Sequence, residues 1–205
     1  MGVGILGGAF DPPHLGHVAL ARAAVERFGL DRLLVRVVED PGHKQVVASA
    51  ADRLALVRLA FAPVPEAEVE LDGFARTVDS LEHLGVPDPV FLIGADEFAS
   101  FADWKRPERV LELARLGVAT RPGYPRDVLD RVLSGLERRD RVELFPIEPL
   151  PISSSGIRER VAAGLPLDGL VDPHVAAEIA RRGLYRGAAD TLRLPEGHAE
   201  RTQAD

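Results

Sequence analysis

Cysteine is absent from all 205 residues, which removes disulfides, thiolate nucleophiles and cysteine-held zinc or iron–sulfur centres together. Lysine is almost absent. Lys44 and Lys105 stand alone among 25 basic residues, so arginine carries nearly all the cationic chemistry. No apolar run approaches the roughly 20 residues that span a bilayer. The start, Met1-Gly2-Val3-Gly4-Ile5-Leu6, lacks the basic segment and long apolar stretch of a signal peptide, and Leu6 occupies a position where a myristoylation motif has Ser or Thr. These features predict a soluble cytoplasmic protein with no membrane partner. A net charge of −7 argues against sequence-independent nucleic-acid binding, which needs a basic field to displace counterions from phosphates. Neither G-x-G-x-x-G nor a Walker Gly-Lys-Ser/Thr loop follows the first strand.

What is present is an alternation of short apolar runs with longer segments of helical period, the pattern of strand–helix–strand units. Strands are expected at Val3 to Leu6, Leu33 to Val38, Glu68 to Leu71, Val90 to Ile93, Leu116 to Ala119 and Val142 to Phe145. Leu15, Val18, Ala21, Val25 and Phe28 mark one face of a helix. Others are expected at 50 to 61, 78 to 85, 106 to 114, 126 to 138, 156 to 164 and 173 to 183, the last opening on an Asp172-Pro173 cap. The class is α/β, a doubly wound, Rossmann-like parallel sheet with helices on both faces and a C-terminal helical segment. With 46% apolar residues and no linker-like stretch, the chain suits one domain over residues 1–186. From 187 to 205 the apolar period is lost, and a polar, mobile tail is expected.

The richest segment is Gly7-Gly8-Ala9-Phe10-Asp11-Pro12-Pro13-His14-Leu15-Gly16-His17, directly after the first strand and running into the first helix. In an open α/β sheet, ligands bind beyond the carboxyl ends of strands, where glycine turns and helix N-termini offer free N–H groups to anionic oxygens. His14 and His17, three apart, project to neighbouring positions, and each has a ring nitrogen able to donate to a phosphate. A zinc site is disfavoured because His-Leu-Gly-His lacks the glutamate of His-Glu-x-x-His and no third ligand is evident. A second anion site is expected at Ile152-Ser153-Ser154-Ser155-Gly156-Ile157-Arg158, where three hydroxyls gather at a helix N-terminus and Arg158 adds a fork suited to phosphate oxygens. Taken alone, three serines before a helix would read as an N-cap.

The two segments together resemble the nucleotidyltransferase superfamily that includes the nicotinate mononucleotide adenylyltransferases. Gly7 to His17 matches every fixed position of its Gly-Gly-x-Phe-Asp-Pro-x-His-x-Gly-His motif, and Ile152 to Arg158 is similar to Ile-Ser-Ser-Thr-x-Ile-Arg, with Ser155 for Thr. Gly94-Ala95-Asp96 with Phe101 to Trp104 resembles Gly-x-Asp followed by Phe-x-x-Trp, and Arg121-Pro122-Gly123 resembles an Arg-Pro-Gly turn. Asp40-Pro41-Gly42-His43-Lys44 resembles Pro-Pro-His-Lys, departing at Gly42. Ala75-Arg76-Thr77 stands where many members have Ser-Tyr-Thr.

The resemblance implies adenylyl transfer from ATP to nicotinate mononucleotide in NAD biosynthesis, with Mg2+ carried on the ATP phosphates and no protein-held metal. It implies catalytic roles for His14, His17, Lys44 and Arg158. ATP would meet Gly7, Gly8, Ala9, Phe10, Gly94, Asp96, Arg121, Ser154 and Ser155, and the acceptor Thr77 and Trp104. Chemically these fit: Asp96 can accept from ribose hydroxyls, the Trp104 ring can stack on a pyridinium, and the Lys44 ammonium suits migrating phosphate charge. Alternative readings are transfer to nicotinamide mononucleotide or phosphopantetheine, cytidylyl transfer, and a nucleotide-binding module without catalysis. No feature specifies or excludes a homo-oligomer.

Overall fold

A computed structural model describes residues 2–42 and 45–187. Lys44 and residues 188–205 of the tail expected from 187 lie outside the described residues. Six parallel strands, β1 (Gly2–Gly8), β2 (Leu30–Val38), β3 (Ala67–Asp72), β4 (Val90–Gly94), β5 (Arg115–Thr120) and β6 (Val142–Pro146), form one sheet in the order β3-β2-β1-β4-β5-β6. Between and after them run α1 (Leu15–Phe28), α2 (Ala50–Phe61), α3 (Thr77–Leu84), α4 (Ala95–Phe98), α5 (Pro107–Leu113), α6 (Arg126–Gly135), α7 (Ser154–Ala162) and α8 (Pro173–Arg182). All six expected strands are present, each longer by one to three residues at one or both ends or at its bounds.

The apolar strands are buried on both faces, and alternate side chains enter two separate cores. Leu6, Leu33, Val35, Val37 and Leu92 pack with Val18, Ala21, Leu56, Val57, Ile157 and Ile179 from α1, α2, α7 and α8. Ile5, Leu34, Phe91, Ile93 and Val118 point the other way, to Val78, Leu81, Phe98, Val110 and Leu129 of α3 to α6. Because β1 pairs with β2 on one side and with β4 on the other, the chain reverses its direction of winding beside β1. A crevice opens there, at the carboxyl ends of the strands.

Local chemistry sets the helix ends. The side chain of Asp172 accepts the His174 N–H at the start of α8, with Pro173 in the first turn. α1 stops where Gly29 turns left-handed at φ 57° and its N–H reaches the Val25 carbonyl. Three expectations need correction. α7 starts at Ser154, so Ser154 and Ser155 belong to its first turn rather than preceding it, because Ser153 takes the cap and accepts the Gly156 N–H. α6 ends at Gly135, and 139–141 form a separate 3-10 turn. The segment after β4 contains α4 and a 3-10 turn at Phe101–Asp103, pieces too short for a periodic signal.

Candidate active site

The crevice is a cavity of about 1010 Å³, at the upper end of the size of ligand pockets. Gly7, Gly8, Ala9, Phe10, His14, His17, Thr77, Gly94, Asp96, Trp104, Arg121, Ser154, Ser155 and Arg158 all line it. Of the expected site residues, Lys44 alone lies outside the described part of the chain.

The loop between β1 and α1 is built to hold the two histidines. Phe10 takes a left-handed backbone conformation, φ 49°, and buries its ring to 3% exposure. There it meets Phe61 at 6.2 Å and the His17 ring edge-on at 5.0 Å. Phe10 thus packs beneath the site as well as presenting its backbone to it. His14 caps α1, and its backbone N–H donates to His17 Nδ1 at 3.1 Å. With Nδ1 accepting, neutral His17 carries its ring proton on Nε2. The two imidazoles stack with centroids 3.7 Å apart.

Burial pushes the His14 pKa down to about 4, so this imidazole is neutral at physiological pH. An unfolded histidine binds its proton near pH 6.5. Between those values the unfolded chain holds more protons than the folded one, and stability must fall as pH drops. The expected result is a urea midpoint that declines from about pH 6.5 to about pH 4, with His14→Gln removing His14's share of the slope. An unchanged slope in that variant would show that His14 is not the group concerned.

The segment Ile152 to Arg158 is fastened to the loop before α1. Arg158 Nη1 donates to the Asp11 carbonyl at 2.7 Å, and the Ser154 hydroxyl donates to the Pro12 carbonyl at 2.8 Å. These bonds tie residues more than 140 positions apart and bring the start of α7 against the loop before α1. The first N–H groups of a helix have no partner within it, so those of Ser154 and Ser155 remain for an anion.

On the far side of β4, Asp96 and Arg121 form an ion pair at 2.6 Å. They belong to the same wall, and each now has the other as a partner. Trp104 is half-buried, 6.3 Å from Phe91 and 5.3 Å from Phe101. Packing anchor and cavity wall are therefore both correct descriptions of it. Arg76 is exposed and also borders the cavity.

Comparison with known proteins decides the family. The profile of the cytidylyltransferase-like family matches residues 5–160. A relative from Bordetella pertussis, named as a probable nicotinate-nucleotide adenylyltransferase, is 39% identical over 194 residues, covering 90% of this chain and 98% of its own. The chain belongs to this adenylyltransferase family. A namesake from Thermomicrobium roseum is 38% identical, with 90% of this chain and 91% of the relative covered. Among solved structures, the nicotinic acid mononucleotide adenylyltransferase of Plasmodium falciparum complexed with NaAD superposes with a TM-score of 0.74 at 16% identity, over 90% of this chain and 97% of that one. That likeness is one of fold.

In this adenylyltransferase, the burial of several polar residues escaped sequence reasoning, Asp11, Tyr185 and Arg53 among them. The Asp11 carboxylate, 4% exposed, accepts the N–H groups of Val47 and Ala48 at 2.6 and 3.1 Å and the Tyr185 hydroxyl at 2.8 Å. Burial and the adjoining Asp11 carboxylate push the Tyr185 phenol well above its ordinary range. Arg53, 0% exposed, donates to the carbonyls of Ala9, Val38, Glu39 and Ala48. Asp11 stood inside the recognised motif, but an arginine within α2 resembles any solvated helix residue. Its neighbours come from separate loops, and no local pattern announces them.

Proposed function

We propose that this chain transfers the adenylyl group of ATP to nicotinate mononucleotide, releasing pyrophosphate and forming nicotinate adenine dinucleotide. One observation carries the reading: two phosphate-facing segments are locked together, at 2.7 and 2.8 Å, on one wall of a cavity of about 1010 Å³. The kinship to adenylyltransferases at up to 39% identity supports the same activity. The acceptor's phosphate oxygen attacks the α-phosphorus, a new P–O bond forms, and the bond to the β-phosphate oxygen breaks. That nucleophile is already ionised at neutral pH, so no protein base is needed. Catalysis then rests on in-line positioning and on stabilising the charge that moves to pyrophosphate.

We assign His17 Nε2–H to the α- and β-phosphate oxygens, His14 and Arg158 to the phosphate chain, and Lys44 to the migrating charge. Gly7 to Phe10 would offer backbone contacts, and Ser154 and Ser155 the N–H groups of the α7 start. Gly94, Asp96 and Arg121 would face the adenosine, and Thr77 and Trp104 the acceptor. Among the described residues no three His, Asp or Glu side chains converge as a metal site. Mg2+ enters as part of the substrate MgATP, bound mainly by phosphates as this ion commonly is. Residues 1–186 are the catalytic domain in this reading. Among the described residues no helix is long and apolar enough to cross a membrane, and we place the enzyme in the cytoplasm.

Pyrophosphate release with MgATP and each of nicotinate mononucleotide, nicotinamide mononucleotide and phosphopantetheine tests the acceptor. The nicotinate compound should give the highest kcat/KM. Fast turnover with phosphopantetheine alone would overturn the assignment, and ATP binding without turnover on any acceptor would make the chain a binding module.

A further inference from the structure

We propose that Arg36 determines the preference for an acidic acceptor by binding the carboxylate on its pyridine ring. The inference rests on the adenylyl-transfer reading above and adds a residue with no place in it.

Arg36 lies on β2, 7% exposed, and borders the cavity. A guanidinium has five N–H donors. Among the described residues a single hydrogen bond is formed, from Nη1 to Glu70 Oε2 at 2.7 Å. Nε is shut off from solvent with no partner, and a buried donor left unpaired calls for an explanation. Two carboxylates adjoin the group, yet neither saturates it. Glu70 has a side chain 61% exposed, so water screens its charge. Asp72 is 3.6 Å from Nη2, beyond hydrogen-bond length, and its oxygens accept from Ser80 Oγ at 2.6 Å and Phe74 N–H at 3.1 Å. The pair orients the guanidinium and leaves donors over.

The neighbouring strand supplies a floor for a flat ring. Gly7 is the register partner of Arg36 on β1, about 4.8 Å away as adjacent strands are. A Cβ on Gly7 would meet the Phe91 ring at 3.5 Å, and Phe91 in turn carries Trp104 edge-on at 6.3 Å. Arg36 thus stands at one side of a glycine floor and the Phe91–Trp104 pair at the other. The other cations at this end are less suited. Both Lys105 bonds go to Asp79, at 2.8 and 2.9 Å, and Arg76 is exposed, where ion pairs contribute little. A ring carboxylate offers two oxygens to the fork, each bond charge-assisted. A carboxamide offers one oxygen, and its N–H groups cannot accept from a guanidinium.

The experiment compares kcat/KM for nicotinate and nicotinamide mononucleotides in the wild-type enzyme, R36M and R36K, with thermal melts of all three. R36M should lose about 100-fold on the nicotinate compound, as expected when one partner of a buried charge pair is removed, and less than about threefold on the nicotinamide compound. R36K keeps the charge without the fork and should lose about tenfold, again on the nicotinate compound alone. Equal losses on both acceptors in a folded variant would overturn the role. If R36M melts below the assay temperature, R36K carries the comparison, and an unchanged ratio there overturns it as well. Wild-type enzyme inactive on nicotinate mononucleotide would instead remove the reading on which this inference stands.

Discussion

Replacing His17 by alanine is expected to lower kcat by about two to three orders of magnitude while the KM for ATP changes less than about tenfold, the pattern of removing one preorganised donor to transition-state charge. The geometry explains why the loss should fall on the chemical step. His17 Nδ1 accepts the His14 N–H at 3.1 Å, which places the proton of the neutral ring on Nε2. The Phe10 edge at 5.0 Å and the His14 ring at 3.7 Å hold the imidazole on two sides, so little reorganisation accompanies the reaction. His17→Gln, which keeps a donor on a more flexible arm, should recover part of the lost rate. Pyrophosphate release under saturating MgATP measures it. A kcat within about threefold of wild type would remove His17 from the reacting phosphates.

The largest effect on stability is expected at Arg53→Met. The substitution retains the bulk of the side chain but strips donors from four carbonyls, on Ala9, Val38, Glu39 and Ala48. Burial lowers the pKa of this guanidinium, and the four carbonyls stand in for the water it has lost. Asp11 is the charged group that favours its cationic form. Removing one member of such a network costs about 3–5 kcal/mol, out of a total of roughly 5–15 kcal/mol for a typical domain. At about 2–4 °C per kcal/mol for a chain of this length, the melting temperature should drop by roughly 10 °C. The carbonyls belong to the loop before α1, to the end of β2 and to the segment between β2 and α2, so the KM for ATP should rise in the same variant. A melt within about 2 °C of wild type would mean that water replaces the guanidinium without loss.

The elements that could be read from the chain are those whose signal is local. A short, valine-rich run such as Leu33 to Val38 suits a buried strand, and the 3.6-residue period from Leu15 to Phe28 suits a helix with one face on a core. Both kinds were placed within a few residues. The two motif segments that line the cavity were legible for the same reason: each is a contiguous stretch at a strand or helix end, where backbone N–H groups are suited to anions. The boundary of α7 was misplaced because three successive serines can each cap a helix, and only the hydrogen bond from the Gly156 N–H to Ser153 selects among them.

Composition, periodicity and two short segments therefore pointed to the α/β class, the parallel sheet and the nucleotidyltransferase family, since each signal depends on residues close together in the chain. Tertiary structure alone decided which groups are buried and which are joined. It turned Asp11 inward to meet Tyr185 from 174 positions away, enclosed Arg53 among carbonyls of separate loops, lowered the His14 pKa to about 4 by burial, and set Arg36 beside the Gly7 floor. Those outcomes depend on desolvation and on hydrogen bonds across long sequence separations. Both arise only when the sheet is assembled, and no stretch of this sequence encodes them alone.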